Sequence, residues 1–249
     1  MPRLEELRVK LFADGADLPS IVELSTNPLI KGFTTNPTLM RRANVRDYRS
    51  FARDMLAAVP DRPVSFEVFS DECGEMEQQA LEIASWGENV YVKIPVTNTQ
   101  GEFSGPLIKR LSQAGVKLNV TALTTLGQVE AVSECFARQT SGFVSVFAGR
   151  IADTGRDPVP IMAQAVQILR SRPKAELIWA SPRELLNIVQ ADAIGCHIIT
   201  ATSDILARLP LIGKDLVEFS LETVRMFRND ALKAGFTIEV GQPSAIASR

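Results

Sequence analysis

The chain has 249 residues, 45% of them hydrophobic and 22% charged, with a formal net charge of -2. This is ordinary globular composition, of a length that suits one large domain or two small ones. The near-neutral balance excludes a general electrostatic pull toward nucleic acid or an anionic membrane, and no apolar run reaches the length of a bilayer span. The opening residues, Met1 to Arg8, contain no apolar leader stretch, so a cytoplasmic protein is expected.

Short apolar runs alternate with amphipathic stretches along the whole chain. Val9–Asp14 reads as a strand and Leu18–Thr26 as a helix. Gly32–Asn36 is a second strand, and its Thr-Thr-Asn-Pro end feeds a helix with Pro37 at the first position. Helix Arg46–Ala58, strand Val64–Phe69, helix Glu75–Trp86 and strand Val90–Pro95 follow. Then come helix Pro106–Ala114, strand Lys117–Leu123, helix Leu126–Arg138 and strand Gly142–Ala148. Helix Pro158–Arg170, strand Glu176–Ser181, helix Pro182–Gln190, strand Cys196–Thr202 and helix Ser203–Leu209 complete the alternation. A last helical stretch, Lys214–Ala234, precedes a polar tail. Eight such strands predict a parallel α/β fold, and a closed (β/α)8 TIM barrel, one domain over residues 1–249, fits the count. An open doubly wound sheet would carry a Gly-rich phosphate turn after its first strand, and Asp14-Gly-Ala-Asp17 is not one.

The three cysteines, Cys73, Cys135 and Cys196, lie far apart without metal-ligand spacing, so reduced thiols and no metal are expected. His197 is the only histidine and has no set of partners for a zinc site or a triad. It reads as a hydrogen-bonded core residue.

One residue breaks the apolar pattern. Lys93 stands in the middle of Val90-Tyr-Val-Lys-Ile-Pro95. Burying an ammonium there costs several kcal/mol, and a neutral lysine amine attacks carbonyl carbons. A Schiff-base nucleophile fits this position. So does a lysine that snorkels to the strand end or pairs with a buried carboxylate.

Side chains alternate faces along a strand, and in a barrel one face is interior. The alternation turns Asp14, Thr34, Asn36, Ser65, Glu67, Lys93, Asn119, Thr121 and Ser145 inward. It also places Phe69, Phe147, Trp179 and Ser181 inward, and Val144, Val146 and Ala122 outward. So many polar groups in a closed interior imply a mutually hydrogen-bonded site near the C-terminal ends of the strands, where barrel enzymes work. Asp14 and Glu67 are the two carboxylates able to move protons, or to hold Lys93 in an inert ion pair. Asn36 and Asn119 suit substrate hydroxyls, and Thr121 with Glu67 suits a catalytic water. Thr35 and Asn36 serve equally as strand-end and cap residues. Arg150 and Arg183, with Ser181 at the start of the helix after the seventh strand, suit an anion.

These residues together resemble the transaldolase family, including its small members and the fructose-6-phosphate aldolase branch. The resemblance runs from about Leu11 to about Leu209, on into the last helices. It rests on Phe12-Ala-Asp14, Gly32-Phe-Thr-Thr-Asn36-Pro, Val90-Tyr-Val-Lys93-Ile-Pro, Leu118-Asn119-Val-Thr121, Ser145-Val-Phe147-Ala-Gly-Arg150-Ile and Ala180-Ser181-Pro-Arg183. The most specific of these is Thr-Thr-Asn-Pro. The resemblance implies a (β/α)8 barrel, a covalent dihydroxyacetone adduct on Lys93, and transfer of that three-carbon unit from a ketose phosphate to an aldose phosphate. Lys93, Asp14, Glu67 and Thr121 are then the expected catalytic residues. Thr35, Asn36, Asn119, Ser145, Phe147, Arg150, Ser181 and Arg183 are the expected substrate contacts. No metal or organic cofactor is implied. The partners implied are small sugar phosphates and further copies of the chain, in a homo-oligomer such as a pentamer or decamer, with the helix at about 214–234 on a neighbouring subunit.

The fructose-6-phosphate aldolase branch carries glutamine where Glu67 stands and tyrosine where Phe147 stands. Both positions here follow the transferase pattern, and a carboxylate shuttles protons where an amide does not. The chain departs from the family at Gly15, at Pro182 and in the charged loop Asp153-Thr-Gly-Arg156-Asp. A terminal phosphate is expected, and a sulfonate or a specialised ketose fits the same residues. Simple aldol cleavage, a deoxyribose-phosphate-type aldolase with a second lysine, and an inactive barrel with Lys93 locked in an ion pair are the competing readings.

Overall fold

Parallel hydrogen bonding joins the predicted strands in chain order. They are β1 (Lys10–Asp14), β2 (Ile30–Thr34), β3 (Val64–Glu67), β4 (Val90–Pro95), β5 (Leu118–Leu123), β6 (Gly142–Val146), β7 (Ala175–Trp179) and β8 (Ile198–Ala201). β8 pairs back onto β1, so the sheet is a closed eight-stranded barrel. The computed structural model describes residues 3–239; Met1, Pro2 and the polar tail from residue 240 lie outside the described residues.

The helices that follow these strands form the outer layer. They are α1 (Leu18–Ser25), α2 (Pro37–Arg42), α3 (Tyr48–Ala58), α4 (Cys73–Ala84), α5 (Gly105–Gln113), α6 (Leu126–Cys135), α7 (Ala148–Ala152), α8 (Val159–Leu169), α9 (Leu186–Ala193), α10 (Ser203–Leu206) and α11 (Leu216–Lys233). Local chemistry sets their starts. The Asp17, Asn36, Asp47 and Asp215 side chains each accept a backbone N–H of the first turn. Thr125 and Gln128 form a capping box on α6. The outward strand faces, Val64, Phe66, Val92, Ile94, Leu118, Val120, Val144 and Val146 among them, are buried beneath these helices. α11 differs from the rest: none of its residues is buried, and Leu216, Val217, Val224, Met226 and Phe227 are exposed. No described helix is long and apolar enough to cross a membrane.

The barrel interior has two layers. Phe12, Phe143, Ile178 and Ile198 fill the lower one, with Tyr91 stacked on Phe143 at 4.0 Å between ring centroids. Each buried phenylalanine contributes about 2–3 kcal/mol of transfer free energy. Gly32 makes room for this plug, since a Cβ there would stand 2.5 Å from the Phe12 ring. The polar layer lies above.

The alternation fails where strands end early or kink. β7 carries Ile178 and Ala180 inward and Trp179 outward, the reverse of the expected phase. Its register explains this: Ile178 lies beside inward Ser145, and Trp179 beside outward Val146. β3 stops at Glu67, so Phe69 is 54% exposed and packs against Tyr48 instead of facing the interior. Ala122, expected outward, adopts φ 67° at a register shift in the β5–β6 ladder and lines the barrel mouth. β6 gives way after Val146 to α7, absent from the expected elements. The helix expected from Pro182 begins only at Leu186.

Candidate active site

A cavity of about 620 Å³ opens at the C-terminal ends of the strands. Such a volume suits a small polar metabolite. Lys93 rises into it from β4, 6% exposed. Its Nζ donates to the Thr35 carbonyl at 2.7 Å and to Glu67 Oε2 at 3.2 Å. Lys93 and Glu67 face each other because β3 and β4 pair them directly. Tyr48, on α3, fixes the Glu67 backbone: its hydroxyl accepts the Glu67 N–H at 2.7 Å and donates to the Glu67 carbonyl at 3.1 Å.

Asp14 lies at the end of β1. Thr34 Oγ1 donates to its Oδ1 at 2.7 Å, and Asn36 Nδ2 to its Oδ2 at 3.2 Å. Burial pushes the Asp14 carboxyl above its ordinary value. The Lys93 charge and the donors Thr34 and Asn36 oppose that push, and the Glu67 charge adds to it. Asn36 also caps α2 through its Oδ1, so its capping and site roles coexist in one side chain.

On the other flank Ser145 Oγ donates to Asn119 Oδ1 at 2.7 Å, and Asn119 Nδ2 to Ser65 Oγ at 3.0 Å. Thr121 lines the cavity, and its buried Oγ1 has no hydrogen-bond partner among the described residues. An unpaired buried hydroxyl is costly, and a substrate or water oxygen in the cavity would satisfy it. Phe147 leads into α7 and forms the wall beside Ser145.

The far rim carries the cations. Arg150 is exposed and lines the mouth. Arg183 donates to both oxygens of Asp153, at 2.9 and 2.5 Å, and to Ser181 Oγ at 3.0 Å. Hydrogen bonding from Arg183 holds the Asp153 carboxyl below its ordinary value. Gly149 lets these two loops meet, because a Cβ there would fall 1.6 Å from the Ser181 carbonyl oxygen. Ser181 itself adopts φ 61°. Left-handed backbone at a non-glycine residue costs about 1–3 kcal/mol, and Ala122 and Ser181 both accept it at the cavity wall.

Eleven of the twelve expected site residues, all but Thr35, line this cavity. The Thr35 side chain instead donates to the Ser65 carbonyl, and only its own carbonyl serves Lys93. The helix start expected at Ser181 is also absent: the Asn187 side chain takes the Arg183 and Glu184 N–H groups, so these two backbone donors are not free for a ligand. Thr200, Thr202, Asp204 and Arg42 line the mouth without having been singled out in the sequence. Polar residues after the eighth strand were the one available signal for two of them, Thr202 and Asp204. His197 lies away from this cavity, where its Nδ1 accepts the Leu177 N–H and burial lowers its affinity for a proton. No cluster of three or more potential metal ligands occurs among the described residues.

Comparison with known proteins places the chain. The family model described as Transaldolase/Fructose-6-phosphate aldolase matches residues 11–238. A "Probable transaldolase" of Streptococcus agalactiae is 35% identical over 215 residues, covering 85% of this chain and 95% of the relative. A "Probable transaldolase" of a Thermoanaerobacter strain is 32% identical over 231 residues, covering 92% and 100%. Among solved structures, 2,3-dimethylmalate lyase superposes with TM-score 0.53 at 14% identity, covering 97% of this chain and 89% of that one. At that identity the likeness speaks for the barrel fold alone.

Proposed function

Since the chain belongs to the transaldolase/fructose-6-phosphate aldolase family, we propose that it is a transaldolase carrying a dihydroxyacetone unit from a ketose phosphate to an aldose phosphate as an imine on Lys93. One observation supports this above the others. The Lys93 amine is buried at the end of a cavity, touching one carboxylate and sharing its field with a second. A purely structural ion pair needs neither the cavity nor Asp14.

On this reading each group has a task. Lys93 passes a proton toward Glu67 and its lone pair adds to the ketose carbonyl carbon. Glu67 returns a proton to the departing oxygen, and Thr121 Oγ1 holds the water so formed. The iminium draws electrons from the adjacent carbon–carbon bond. As that bond breaks, Asp14 takes the hydroxyl proton of the leaving aldehyde fragment, and an enamine remains on Lys93. Addition of the enamine to an acceptor aldehyde reverses the step, and Asp14 gives its proton back. Asn36, Asn119 and Ser145 orient the hydroxyls of the three-carbon unit, while Arg150 and Arg183 hold the terminal phosphate.

Borohydride reduction with fructose 6-phosphate tests the reading. The expected product is a stable three-carbon adduct on Lys93, identified by peptide mass and absent in Lys93→Met. A wild-type enzyme that forms no adduct would overturn it. We read the uncovered apolar face of α11 as the subunit contact of a homo-oligomer; a monomeric mass by light scattering would sink that assignment.

A further inference from the structure

Behind Asp14 lies a chain of two buried hydroxyls to which the reaction above gives no task. Thr34 Oγ1, already bonded to Asp14, is 2.6 Å from Thr200 Oγ1. The two threonines are 3% and 5% exposed. They come from β2 and β8, the two neighbours of β1 in the barrel. Thr200 is the register partner of Phe12, which packs with Phe143, Ile178 and Ile198, and Thr200 makes no other side-chain hydrogen bond among the described residues.

Proton counting fixes the sense of this chain. Each threonine has one hydroxyl proton. When Asp14 is a carboxylate, Thr34 donates to Asp14, so Thr200 must donate to Thr34. When Asp14 carries a proton, Asp14 donates to Thr34, Thr34 donates to Thr200, and Thr200 turns its own proton toward the cavity that it lines. With a water or substrate oxygen in the cavity accepting from Thr200, every hydroxyl is hydrogen-bonded in either sense. Thr200 faces the plug on one side and the cavity on the other, and each hydroxyl keeps its own proton as the chain turns.

We infer that Thr34 and Thr200 are positioning residues, a reversible hydroxyl switch that supports Asp14 as acid and as carboxylate alike. This rests on the role proposed for Asp14. The transferred proton moves only between the substrate hydroxyl and Asp14; the threonine protons turn between neighbours and none is gained or lost. The other charged groups facing Asp14 are Lys93 and Glu67, which pair with each other, and Arg42 and Asp204 at the cavity wall, with Asp17 in the adjoining turn.

The test follows the limb of the kcat–pH profile that Asp14→Asn removes, with fructose 6-phosphate and erythrose 4-phosphate. Thr34→Val deletes the donor to the carboxylate, so the limb moves to higher pH. Thr200→Val deletes the last acceptor needed by the protonated form, so the limb moves to lower pH. Thr200→Ser leaves it in place. Each displacement should be about half a pH unit or more, the size expected for one buried hydrogen bond. The alanine pair reads the same signs if a valine variant does not fold. Limbs that move together, limbs that stay put, a serine variant that fails to restore the profile, or an Asp14→Asn profile that keeps the limb would each overturn the switch. Borohydride trapping of wild type separates the two ideas: without an adduct the reading of Lys93 falls, whereas an adduct with unmoved limbs removes the switch alone.

Discussion

The polar layer around Lys93 and the rim at Arg150 and Arg183 share one cavity but obey different electrostatics. In the layer, Lys93, Thr34, Asn119, Ser145 and Thr200 are buried, and nearly every polar atom is spoken for by a named partner. At the rim, Arg183 and Asp153 are an exposed pair and Arg150 is exposed beside them. The same group type therefore responds in opposite directions. Burial raises the Asp14 carboxyl, while Arg183 lowers that of Asp153. Buried charges are unscreened and costly to disturb; exposed pairs are worth little and fade with salt. Under the proposed function the layer moves protons, and the rim sorts substrates by their anionic end.

The contrast can be broken most forcefully in the layer. Glu67→Gln should lower the kcat of transfer by roughly 10² to 10⁴, because an amide cannot take the proton from Lys93. Combined with Phe147→Tyr, it should raise the release of free dihydroxyacetone relative to transfer, measured without and with an acceptor aldehyde. An unchanged ratio would sink the assignment to the transferase branch. A smaller effect sharpens the contrast at the rim. Arg150→Ala should raise KM for a phosphorylated acceptor about tenfold to a hundredfold, the value of a charge-assisted hydrogen bond, with the loss in KM rather than kcat. Wild-type KM should also rise with ionic strength more steeply than that of the variant. A loss confined to kcat would place Arg150 in the chemistry and erase the distinction between the two regions.

The layer was largely legible in the sequence. Period-two alternation in β1, β3, β4 and β5 needs only local backbone geometry to turn Asp14, Glu67, Lys93, Asn119 and Thr121 to one face. It misassigned β7 by following Trp179 and Ser181, although Glu176, two residues before Ile178, marks the opposite face as the polar one. The kinks at Ala122 and Ser181 were invisible for another reason: neither residue is one that ordinarily signals left-handed backbone.

The sequence by itself determined the barrel, the inward lysine and the two carboxylates, since these depend on short-range periodicity and on the cost of burying charge. Only the tertiary structure decided the partnerships. Thr34 meets Thr200 across 166 residues because closure of the barrel brings β8 beside β1. Asp153 meets Arg183 because Gly149 admits one loop against the next. Tyr48 holds Glu67 from the outer layer. Such pairings are products of ring closure and loop packing, which no local pattern encodes.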